Sequence, residues 1–237
     1  VDNPLDINKS KIRTNLKNSL IENLLYNERR QQDTIKLFEI SDVYNSVDTS
    51  YKKVLGIIAT GRVGNNYQDF SKKIDKQYIT NIFEKYVSNI DFNIEDIPRA
   101  NLNTKHKSLI NYLEIDLELL KNIKFKNKKK CIDIDGKQYK KISDFPKSKR
   151  DISFSIKDAS KYKELEVLID SIDFEPLKEV FVFDFFKNTK KNEIKIGYRF
   201  IFQMQDETIT DKVVNDVINE IISRALSIKS VSVPGLV

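Results

Sequence analysis

From Phe145 to the C-terminus the chain changes hydrophobic period repeatedly, and the order of those changes leaves few folds open. Arg150 to Ile156 alternates Ile152, Phe154 and Ile156 with Asp151, Ser153 and Ser155, the period of a half-buried strand. Lys161 to Ile172 sets Leu165, Leu168, Ile169 and Ile172 on one helical face. Val180 to Phe186 and Ile194 to Met204, rich in aromatic and β-branched residues, read as strands around a polar turn at Lys187 to Glu193. A second helix follows, capped by Thr210 with Asp211 in its first turn, and its apolar stripe runs from Val213 to Leu226. Val231 and Val233 form a last short strand.

The order β-α-β-β-α-β is the split βαβ, or ferredoxin-like, arrangement, in which two helices cover one face of the sheet and the other face is left for a partner. With Ile152, Phe154 and Ile156 toward the helices, Asp151, Ser153 and Ser155 face outward. With Ile194, Ile196, Tyr198, Phe200 and Phe202 inward, Lys195, Gly197, Arg199 and Gln203 face outward. Cations, amides and hydroxyls on an open sheet suit single-stranded RNA, whose bases stack on planar groups and offer their edges to hydrogen bonds. Phe181, Phe183 and Phe185 alternate with Val180, Val182 and Asp184. Either at least one of these rings is on the open face, able to stack a base, or all three are core. Lys147, Lys149 and Arg150 lead into the first strand as candidate phosphate contacts, the alternative for Arg150 being a pair with Asp184 or Asp151. The candidate RNA-binding residues are therefore Lys147, Lys149, Arg150, Ser153, Phe181, Phe183, Lys195, Arg199 and Gln203.

The first half reads as a separate unit. Thr14 is the expected N-cap of a helix to about Asn27, with Leu16, Leu20, Leu24 and Leu25 on its buried side. Strands are expected at Ile35 to Tyr44, Lys53 to Thr60 and Ile110 to Asp116, the last running into a short helix ending near Lys121. The second of these is almost continuously apolar, as in a central strand buried on both faces. Asp75 to Val87 is an amphipathic helix, and Gly61 to Asn66 is a plain turn without phosphate-loop spacing. Six lysines between Lys121 and Lys130 mark a composition break, read as a solvated linker rather than an RNA-backbone contact. A hairpin follows at Cys131 to Tyr139 around Asp135-Gly136. The expected division is 1–130, a linker and hairpin at 131–143, and 144–237, in an α+β chain.

A net charge of +6 permits a polyanionic partner without requiring one. One cysteine, Cys131, excludes an internal disulfide, and one histidine, His106, leaves no zinc site or histidine-based nucleophilic triad to assemble. No apolar run approaches the roughly 20 residues that span a bilayer. The chain opens on Val1 and reads as a segment of a longer polypeptide.

The blocks "FPKSKRDISFSI", "VFDFFKN" and "YRFIFQMQDETITDKVVNDVINEII" are similar, in order and spacing, to the anticodon-binding domain of the beta chain of bacterial phenylalanine–tRNA ligase. In that family Phe183-Asp184 is a recurring pair, while the position of Phe181 is usually polar and that of Phe186 usually Tyr. Asn3-Pro4, Arg13-Thr14, Leu16, Asn27, Arg29-Arg30 and Leu37-Phe38-Glu39-Ile40 resemble a module of the same chain built like a class II synthetase catalytic domain but lacking catalytic power. "NYLEIDLELL" resembles the end of that module. The resemblance implies a partial class II synthetase-like antiparallel sheet module followed by a ferredoxin-like βαββαβ domain. It also implies no catalytic residue and no cofactor or metal in this segment, with ATP and Mg2+ used by the complete enzyme. The implied partners are the catalytic alpha chain and the anticodon of tRNA(Phe), with no membrane, in a cytoplasmic setting. Arg13, Arg29 and Arg30 could hold phosphate in such a module, but a solvated helix end accounts for Arg29 and Arg30 as well.

Two other functions fit parts of the chain. Lys195 to Phe202 resembles the aromatic signature of an independent RNA-binding module of the RRM type, a reading that fails if Tyr198 and Phe200 are core. A ferredoxin-like regulatory domain for a small molecule would call for glycine-rich loops, which this half lacks.

Overall fold

Leu16, Leu20 and Leu24 recur at helical spacing, and helix α1 spans Lys17–Arg29 with all three buried. A computed structural model describes residues 12–48, 50–87, 93–121, 123 and 141–235. The expected cap at Thr14 is not used. Asn15 Oδ1 accepts from the Lys17 amide at 3.1 Å, and Glu114 Oε2 accepts from the Leu16 amide at 2.9 Å. A carboxylate reaching in from a strand serves the exposed amides of the helix start as well as a local hydroxyl would, and its charge suits the helix dipole.

The chain divides into two units, and the first comprises the described residues of Val1–Val63 and Lys73–Ile134. Its strands are β1 (Ile35–Tyr44), β2 (Tyr51–Thr60), β3 (Glu95–Ile97) and β4 (Ile110–Asp116), in the antiparallel order β1-β2-β4-β3. The short edge strand β3 was not expected, because three residues carry no readable period. β2 is buried on both sides, as its apolar run predicts. Val54 and Ile58 pack under α1, while Ala59 joins Ile74, Ile79, Leu113 and Ile115 beneath helix α2 (Lys76–Glu84). Gly56 lets α1 come close, since a Cβ there would lie 2.9 Å from Leu20 Cδ1 and 3.0 Å from Leu16 Cβ. Asp75 caps α2 by accepting from the Tyr78 amide at 2.8 Å.

The second unit comprises Gly64–Lys72 and the described residues of Asp135–Val237. Its strands β5 (Ser148–Ile156), β6 (Leu177–Asn188), β7 (Glu193–Phe202) and β8 (Val231–Ser232) lie in the antiparallel order β6-β7-β5-β8. Helices α3 (Tyr162–Asp170) and α4 (Asp211–Leu226) supply Leu165, Ile169, Val214, Val217, Ile221 and Ala225 to the core. Ile152, Phe154 and Ile156 of β5 and alternate residues of β7 from Ile194 to Phe202 meet them there. Thr210 Oγ1 accepts from the Val213 amide at 3.4 Å, so Thr210 caps α4 as its sequence position predicts. The architecture is mixed α+β, two antiparallel sheets each with helices. The hairpin expected at Cys131 to Tyr139, most of the lysine run from Lys121 to Lys130, and Asn3-Pro4 lie outside the described residues. Among the described residues no helix is long and apolar enough to cross a membrane.

Candidate nucleic-acid interface

Strand parity fixes the face of the second sheet that its two helices leave uncovered. With Ile152, Phe154 and Ile156 in the core, Lys149, Asp151 and Ser153 turn the other way, opposite Ile201, Arg199 and Gly197 of β7. β6 meets this face through an irregularity. Phe181 pairs with Arg199 and Val182 with Tyr198, but it is Asp184 that pairs with Gly197, and Phe185 with Ile196. Phe183 is the extra residue of a β-bulge, which changes the parity of the strand at that point. Phe181 and Phe183 therefore both sit on the uncovered face, while Phe185 packs against the core. The Phe183 ring lies on Gly197, where a Cβ would stand 2.8 Å from Phe183 Cζ.

Arg199 stands at the centre. Its Nε and Nη2 donate to the two carboxylate oxygens of Asp151 at 2.7 and 2.6 Å, a bidentate pair that fixes the guanidinium plane. The guanidinium carbon lies 5.6 Å from the centre of the Phe183 ring and 4.9 Å from that of Phe70, within cation–π range.

Phe70 belongs to the Gly64–Lys72 segment, and sequence reasoning missed it by assigning residues 1–130 to one unit. Asn66 heads a tight turn there. Its carbonyl accepts from the amides of Asp69 at 3.0 Å and Phe70 at 2.8 Å, and its side-chain Oδ1 accepts from those of Gln68 and Asp69. The turn places the Phe70 ring 5.8 Å from Phe181 and 5.6 Å from Phe183, centre to centre. Tyr67 meets Phe185 at 5.3 Å, and Asn65 Nδ2 donates to Glu179 Oε1 at 3.0 Å, both along the outer strand β6. The one available signal was two aromatic residues, Tyr67 and Phe70, in an otherwise polar loop.

The remaining candidates are dispersed. Ser153 and Lys195 are exposed on the same face, Lys195 opposite Ser155 and Phe186. Lys149 is half-buried opposite Ile201, and Lys147 is half-buried just before β5. Gln203 Nε2 donates to the Phe145 carbonyl at 2.7 Å. Arg150 is a correction. It shares the parity of Ile152 and so lies on the helix side, where its Nη2 donates to Asp211 Oδ1 at 2.7 Å, rather than to Asp184 or Asp151. In the first unit, Arg13 donates to Glu39 Oε1 at 2.6 Å and also to Ser41, and Arg30 lies 3.5 Å over the Tyr26 ring.

The RRM-type reading requires aromatic rings of β7 on the uncovered face. Tyr198 and Phe200 are 4% and 0% exposed, in the core, so that reading is set aside. Comparison with known proteins agrees. Residues 143–231 match the family model described as Ferredoxin-fold anticodon binding domain, and residues 1–118 match the Phenylalanyl tRNA synthetase beta chain CLM domain. The chain belongs to the phenylalanine–tRNA ligase beta-subunit family. The beta subunit from Carboxydothermus hydrogenoformans is 25% identical over 255 residues, covering 96% of this chain and 32% of that protein. Those from Bacteroides fragilis and Thermotoga maritima are 25% and 23% identical, covering 93% and 95% of this chain and 31% and 32% of those proteins. The chain thus spans about a third of the length of the curated relatives it matches.

Proposed function

We propose that this chain is the part of a phenylalanine–tRNA ligase beta subunit that packs against the catalytic alpha chain and recognises the anticodon of tRNA(Phe). It works in the cytoplasm and catalyses nothing alone; ATP and Mg2+ are used on the alpha chain. The observation that carries the reading is the sheet face turned away from the helices, with Phe181, Phe183 and Arg199 clustered on it beneath the Phe70 ring, in a domain matched by an anticodon-binding family. Unpaired bases stack on such planar groups, each stack contributing about 1–3 kcal/mol, while Lys149, Lys195 and Lys147 offer charge to the backbone. Binding then acts by geometry: holding the anticodon fixes where the far end of the tRNA lies.

The first unit supports the packing role through an exposed apolar strip. Phe38 and Ile40, on one side of the edge strand β1, are 71% and 53% exposed, and further along that side Tyr44 meets the exposed Tyr51, ring to ring, at 5.9 Å. A contiguous run of exposed apolar side chains on an edge strand suits a surface covered by a partner.

Titrating the 237-residue chain with the anticodon stem-loop of tRNA(Phe) and with unrelated single-stranded RNA, at two salt concentrations, tests the RNA arm. Preference for the cognate loop is expected, with the affinity for both RNAs weakening as salt rises. Equal affinity for both RNAs would overturn the anticodon assignment. Co-purification with the catalytic alpha chain tests the packing arm, and its loss in Phe38→Asp is the expected result.

A further inference from the structure

The aromatic seat on the second sheet is already filled. Phe181 and Phe183 turn their rings outward beside Arg199, and one planar group, the ring of Phe70, lies against all three. Its centre is 5.8 Å from Phe181 and 5.6 Å from Phe183, the spacing of tilted aromatic partners, and 4.9 Å from the Arg199 guanidinium carbon. The ring is tilted by 51° and 54° to its two neighbours, and it fills the space a nucleobase would need to stack on either of them. A base and a phenyl ring cannot occupy that space together.

We propose that Phe70 is an internal stand-in for a nucleobase, so that RNA reaches Phe181, Phe183 and Arg199 only by displacing the Gly64–Lys72 segment. The inference rests on the RNA-binding reading above and adds the competitor that sets its affinity.

The construction of the segment suits this. The Asn66 turn is held by its own hydrogen bonds, Asn66 to Asp69 and Phe70, and by the Lys72–Asp69 ion pair at 3.0 Å. It can therefore leave the sheet as a formed turn, without unfolding. Beyond ring contacts, its attachment includes the hydrogen bond from Asn65 to Glu179. Arg199 does not depend on Phe70 for its orientation, because both carboxylate oxygens of Asp151 hold it. When Phe70 leaves, the cationic plane stays aimed at the vacated place. The competition is thus between two flat groups for one prepared seat.

The test uses the 237-residue chain, with Phe70→Ala and Phe70→Leu, against the tRNA(Phe) anticodon stem-loop at low salt. Losing the two aromatic pairs and the cation–π contact removes the competitor, so Phe70→Ala should bind on the order of tenfold more tightly. Phe70→Leu keeps apolar bulk without the flat ring and should lie between. In the wild-type chain, proton contacts in NMR spectra between Phe70 and the rings of Phe181 and Phe183 should disappear as stem-loop is added. If the stem-loop binds while those contacts persist, or if both variants bind no better than wild type, the competition is refuted and the RNA reading stands. If no chain binds any RNA while urea unfolding shows all of them folded, the RNA reading itself fails and takes this inference with it.

Discussion

At Gly197 the backbone and the candidate site are one feature. The residue lies in β7 opposite Ser153, and it is bare so that the Phe183 ring can rest on the strand itself. A methyl group there would stand 2.8 Å from Phe183 Cζ, 3.0 Å from Cε1 and 3.2 Å from Cε2, so the ring must tilt away. Because the far end of a side chain can swing where a backbone cannot, Gly197→Ala should cost only about 1 kcal/mol of stability. The displaced ring no longer offers a base its face, and stem-loop affinity should fall about tenfold, given the 1–3 kcal/mol of one stack. Urea unfolding and an RNA titration on the same variant check both numbers; unchanged affinity would show that Phe183 carries no stacking. Sequence alone places Gly197 on the outward side, but the reason for its bareness waits on the bulge at Phe183, where strict alternation stops being a guide.

At the scale of elements, α1 is tied at its C-terminal end by a buried ion pair. Glu28 is 7% exposed, and its Oε1 lies 2.9 Å from Arg99 Nη2. Thr104 Oγ1 donates to Glu28 Oε2 at 2.5 Å, and Arg99 also donates to Thr60 and to the Ser108 carbonyl. Removing one partner strands a charge away from water, so Glu28→Ala should lose about 3–5 kcal/mol. Glu28→Met with Arg99→Met, which removes both charges, should recover much of it; a shift in the urea midpoint confined to the single variant is the expected pattern. The helices and long strands were legible because each repeats its apolar residues over enough positions to declare a period. Leu16, Leu20 and Leu24 declare α1, and Ile194 to Phe202 declare β7. Glu28–Arg99 was not legible. Its partners are 71 residues apart, and the loop around Arg99 has no period of its own.

For the whole molecule, each unit keeps a buried phenol that shapes its response to alkali. Burial first, then the neighbouring Glu114 carboxylate, pushes the Tyr112 hydroxyl well above its ordinary 10.0; burial chiefly does the same for Tyr198. Above that ordinary value the unfolded chain gives up these protons while the folded chain keeps them, so the native state binds more protons and stability falls as pH rises. The contribution is complete below pH 10 and lost progressively above it. Urea midpoints across roughly pH 8 to 11 should decline, and Tyr112→Phe should flatten the decline; an identical slope would show that Tyr112 does not contribute. The candidate site was legible in its strand residues, because Arg199, Ser153 and Lys195 follow from parity. It was not legible in Phe70, which arrives from far along the chain through a turn no period announces. That arrival also bears on how the second unit can be handled. The strand β6 forms one border of its sheet, and Asn65 and Tyr67 lie along it as a guard rail. A fragment cut at the lysine-rich junction would leave the rail behind, baring a long aromatic border to which other copies could add their own strands.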